Sequence, residues 1–93
     1  MRDYELLMII SPDIPEEEVP ETLEKVGGYI TSKGGVITDT NRWGIRKLAY
    51  PIKHHREGNY VLTHLQLEPT AIAEIEANLR ISEKVLRHVL VRK

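Results

Sequence analysis

The spacing of apolar positions alternates between two periods along this chain. Asp3 to Ile10 (DYELLMII) is a short apolar-rich run stopped by Ser11-Pro12, which predicts a strand. Glu16, Glu17 and Glu18 place negative charge where a helix macrodipole favours it, and Pro20 fits a first turn, where a missing N–H is harmless. Val19, Leu23, Val26 and Ile30 recur at helical spacing, and Gly34-Gly35 reads as the C-cap. Gly27-Gly28 conflicts with that helix by about 1 kcal/mol per glycine relative to alanine. Close approach of this turn to a sheet is the expected reason. Val36 to Thr40 begins a second strand that continues through Trp43 to Tyr50, with a bulge expected at Gly44. Pro51 to Glu57 reads as a basic loop, followed by turn chemistry at Gly58-Asn59. Tyr60 to Leu67 is a third strand. Glu68-Pro69-Thr70 opens a second helix with Ile72, Ile75 and Leu79 as its stripe, and Lys84 to Val91 is a fourth strand.

The order βαββαβ predicts an α+β, ferredoxin-like fold over residues 1–93, read as one domain. It is a four-stranded antiparallel sheet with both helices on one face. The first and third strands would be central. None of the five prolines falls inside them, as a ladder that needs every N–H requires.

One face of such a sheet has no helix to cover it. Strand side chains alternate between faces. Tyr4, Leu6, Met8 and Ile10 form one set of the first strand, and Glu5, Leu7 and Ile9 the other. The third strand divides into Val61, Thr63, Leu65 and Leu67 against Tyr60, Leu62, His64 and Gln66. The sets holding Glu5 and Gln66 belong on the open face. Leu7, Ile9, Tyr60 and Leu62 would then lie exposed together, a patch that suggests a protein partner unless a loop or terminus folds over it. In the fourth strand, Leu86, His88 and Leu90 are expected inward, and Val85, Arg87, Val89 and Val91 outward.

Composition bounds the picture. The 93 residues are 41% apolar and 29% charged, too hydrophobic for disorder. They lack the apolar span of a membrane helix, and the N-terminus lacks the apolar core of a signal peptide. Absence of cysteine removes disulfides, thiol nucleophiles and thiolate metal sites. The net charge of −1 hides a gradient: residues 1–39 carry nine acidic and three basic side chains, residues 40–93 five acidic and ten basic. Thr40 to Arg56 holds Arg42, Arg46, Lys47, Lys53 and Arg56 with no carboxylate, a footprint suited to a polyanion.

No catalytic constellation emerges. The glycine pairs lack the spacing of a phosphate loop, the Glu16–Glu24 carboxylates suit a helix start, and adjacent His54-His55 makes poor metal-ligand geometry. An RNA-recognition sheet would stack bases on aromatics of the central strands. Here Tyr60 is the sole aromatic on the expected open face, so phosphate contacts from basic loops and termini are the expected mode.

The run WGIRKLAYPIK (Trp43–Lys53) resembles a stretch specific to the bacterial small-subunit ribosomal protein six family. Arg2-Asp3-Tyr4-Glu5, REGNY at 56–60, LRISEKVLRH at 79–88 and Val91-Arg92 match in order, covering almost the whole chain. The resemblance implies no enzymatic activity, and binding to the central domain (platform) of 16S ribosomal RNA as a heterodimer with small-subunit ribosomal protein eighteen. Matching motif positions implies RNA contacts at Arg2, Arg80, Arg87 and Arg92. The charge reading adds Lys53, Arg56 and Lys93. The open face and the Trp43–Tyr50 segment are the expected protein interface, with Leu7, Ile9, Trp43, Arg46, Tyr50, Tyr60, Leu62 and His64. No cofactor, metal, membrane or small-molecule substrate is expected, and the expected location is the cytoplasmic ribosome. The rival reading is a ferredoxin-like regulatory or ligand-binding module dimerising through its open face, which leaves the basic segment unexplained.

Overall fold

The computed structural model describes residues 1–93. Its elements run β1 (Arg2–Ile10), α1 (Val19–Ser32), β2 (Val36–Ile52), β3 (His55–Leu67), α2 (Ile72–Ile81) and β4 (Val85–Arg92). A 3₁₀ turn leads into each helix, at Glu16–Glu18 and Pro69–Ala71. The strands form one antiparallel sheet in the order β2-β3-β1-β4, so β1 and β3 are central as the proline distribution requires. Pro51, the proline that does enter a strand, lies in edge strand β2, where a missing N–H is tolerated.

The period-two and helical stripes meet in one core. Tyr4, Leu6, Met8 and Ile10 of β1 and Val61, Leu65 and Leu67 of β3 pack with Ile30, Ile75 and Leu79 of the helices. Each such aliphatic side chain contributes about 2 kcal/mol by leaving water. Thr22 is buried beside them because its hydroxyl donates to the Glu18 carbonyl at 3.1 Å. A Cβ at Gly27 would touch Ile37 Cδ1 at 3.0 Å, which accounts for that glycine; one at Gly28 would meet nothing.

Four local expectations need correction. Pro51–Glu57 is not a loop: β2 and β3 join through a two-residue turn, Lys53-His54, both with positive φ (49° and 70°). That is the conformation of a primed hairpin turn, usually given to Asn-Gly. Gly58-Asn59 is likewise strand, not turn. A Cβ at Gly58 would lie 2.2 Å from Ile9 Cγ2, so glycine is there to let β3 and the β1 side chain meet. Ile9 is accordingly 8% exposed and not part of an open patch. Val85 points into the core because the β1–β4 register shifts between Ile9 and Ile10, which turns Val85 inward beside Leu86.

Candidate nucleic-acid and partner interface

The far end of the β2–β3 hairpin builds the site. Lys47 pairs with Glu57 and Ile52 with His55, so Leu48, Ala49, Tyr50 and Pro51 of β2 face Arg56 alone on β3. The surplus backbone bulges toward the open sheet face. There Leu48, Ala49, Tyr50 and Ile52 join Leu7, Ile9, Tyr60 and Val89 around an apolar cleft of about 230 Å³. Arg87 is the one charged residue in its wall. The Arg87 Nη1 donates to the Tyr50 hydroxyl, and its guanidinium carbon lies 5.8 Å from the Tyr50 ring centroid. The bulged arm of β2 therefore folds over part of the open face, and it covers Ile9.

Beyond this hairpin arm the face stays accessible. The β2–β3 register shifts between Arg42 and Gly44, with Gly44 at φ 84°, and leaves Trp43 without a direct partner. Trp43 stacks on Tyr60 with centroids 6.1 Å apart and planes 8° from parallel. Leu62 is half-buried opposite Leu7, and His64 lies opposite Glu5 with its Nδ1 buried and unpartnered. Arg46 sits opposite Gly58, which by alternation places it on the face of Tyr60. Trp43, Tyr50, Val89 and Val91 are each exposed by two-fifths or more.

A second cleft, of about 310 Å³, opens at the start of edge strand β4. Lys53 from the hairpin turn, Arg80 from the last turn of α2 and Arg87 from β4 line it, with Leu79, Val85, Leu86 and His88. These three cations come from three elements. Arg80 is held only by Glu76, at 3.5 Å on the same helix, an exposed i,i+4 pair worth a few tenths of a kcal/mol. Lys53 and Arg87 enter no ion pair. Arg87 lines both clefts, so the basic and apolar hollows share a wall.

The remaining predicted cations lie elsewhere. Arg92 is opposite Tyr4, Arg2 is opposite Leu67, and the Lys93 N–H donates to the Asp3 carbonyl at 2.9 Å, so these three cluster at the other end of the sheet. Arg56 shares a hollow of about 220 Å³ with Lys47 and Leu48–Pro51, on the hairpin itself. Lys47 is a cation that sequence charge located without giving it a role. Arg42 is spent on the helix side, paired with Glu16, and the His55 Nε2 is 3.6 Å from Asp13 Oδ2. The Lys33 ammonium is held above its ordinary range, chiefly by its hydrogen bond to Glu74 at 2.7 Å, away from both clefts.

Comparison with known proteins agrees with this fold. Residues 3–92 match the family model of ribosomal protein S6. Small ribosomal subunit protein bS6 of Desulforudis audaxviator is 43% identical over all of this chain and 99% of its own length. That of Dehalococcoides mccartyi strain 195 is 45% identical over 98% of this chain and 84% of its own. The crystal structure of 30S ribosomal protein S6 from Thermotoga maritima superposes with a TM-score of 0.92 at 33% identity, covering 99% of this chain and 87% of that one. The chain therefore belongs to the ribosomal protein S6 family, structural and non-enzymatic proteins of the small ribosomal subunit.

Proposed function

We propose that this chain binds the central domain of 16S ribosomal RNA jointly with small-subunit ribosomal protein eighteen. Lys53, Arg80 and Arg87 take phosphates in the basic cleft, and Arg2, Arg92 and Lys93 make a second group of backbone contacts. The exposed part of the open face, around Trp43, Tyr60 and Leu62, receives the protein partner. The observation that carries this reading is the convergence of Lys53, Arg80 and Arg87, from three separate elements, on one cleft. Arginine in particular offers a planar fork of donors to phosphate oxygens. Such contacts position the protein on the RNA and carry no sequence information themselves.

The test is filter binding of 16S ribosomal RNA over a salt series. Each phosphate contact adds about 0.7–0.9 to the slope of log affinity against log salt. Replacing Lys53, Arg80 and Arg87 together by alanine is expected to flatten that slope by about two units and to weaken binding at low salt. An unchanged slope would place the phosphates elsewhere.

A further inference from the structure

We infer that Tyr50 is a positioning residue for Arg87, holding its guanidinium so that the unused donors face the basic cleft. This rests on the reading that the cleft takes phosphate. Arg87 lies on an edge strand, exposed, and opposite Ile9 rather than beside a carboxylate. A long exposed side chain with no partner samples many rotamers, and a ligand must then order it. Arg87 is not in that condition. Its Nη1 donates to the Tyr50 hydroxyl, and its guanidinium carbon lies 5.8 Å from the Tyr50 ring centroid. One of five guanidinium N–H groups is used, and the others remain free for phosphate oxygens. Tyr50 is delivered by the four-against-one bulge of the hairpin, from a residue 37 positions away in sequence. The turn that follows the bulge carries Lys53, which lines the same cleft. The hairpin arm therefore supplies both a phosphate ligand and the brace for another.

The test is a double-variant cycle on binding to 16S ribosomal RNA at low potassium chloride. Tyr50→Ala is expected to weaken binding about fivefold, and Tyr50→Phe, which keeps the ring and loses the hydroxyl, by about twofold. In an Arg87→Ala background neither change has any further effect. Arg87→Ala lowers the salt slope by about one contact, whereas Tyr50→Ala leaves the slope unchanged, because it disorders a contact without removing a charge. Equal losses from Tyr50→Ala in both backgrounds would mean that Tyr50 touches RNA itself, and would overturn the inference. So would native affinity in Tyr50→Ala. Tyr50→Phe preserves the wall of the apolar cleft and separates loss of the brace from loss of fold. If Arg87→Ala alone leaves affinity and slope unchanged, the phosphate reading of the cleft fails first, and the role of Tyr50 fails with it.

Discussion

On its helix-covered side the sheet presents Tyr4, Leu6, Met8, Val61, Leu65 and Leu67, each 4% exposed or less. On its other side the alternating residues of the same strands, Leu7, Tyr60 and Leu62, are half-buried, and Trp43 and Tyr50 are exposed. Both sides are apolar. The difference is that the first has been closed by the chain's own helices, while the second has been closed only over Ile9, by a bulged hairpin arm. Apolar composition therefore does not separate core from interface here. What separates them is whether the topology provides a covering layer.

Substitutions on the two sides should fail in different ways. Leu6→Ala, at a fully buried position, is expected to lose about 3 kcal/mol of stability in urea unfolding, while partner affinity of the folded fraction stays native. Leu62→Asp should do the reverse: association with the partner weakens by about 2 kcal/mol in titration calorimetry, and stability falls by less than about 1 kcal/mol. Native affinity in that variant would place the partner on another surface. Smaller effects sharpen the contrast at the hairpin tip. Replacing Lys53-His54 by Asn-Gly should raise stability by about 1–2 kcal/mol, because both residues hold left-handed backbone that favours Asn and Gly. The same change removes a cleft cation and should weaken RNA binding. Strain retained at this turn is consistent with selection for the cation rather than for stability. Last, Gly28→Ala should stabilise by about 0.5–1 kcal/mol by thermal melting, since nothing lies within 4 Å of the added Cβ.

The order of elements, the central strands and the helical stripes were all legible in the sequence, because periodicity and proline placement act locally. Tyr4 was read as core and is core. The hairpin was not legible, for two reasons. Its turn residues, Lys53-His54, lack the glycine chemistry that marks a primed turn, and Gly58-Asn59 carried turn chemistry while lying in β3 for a steric reason set by Ile9. The false signal comes from a contact between residues distant in sequence. Val85 was misplaced by the same kind of event, since a bulge at Ile9/Ile10 reverses alternation without leaving a mark in the sequence. Of the predicted cations, Lys53, Arg80 and Arg87 converge on one cleft and Arg56 does not. The pairing of Arg87 with Tyr50 could be read only from the folded chain.

The central claim is that a nearly neutral chain binds RNA by sharing the task with a protein seated on its open face. The most direct measurement is the affinity for 16S ribosomal RNA with and without small-subunit ribosomal protein eighteen, over a salt gradient. The account predicts weak binding by the chain alone, strengthening when the partner is added, and loss of both as salt rises. Tight binding that needs no partner and ignores salt would contradict it.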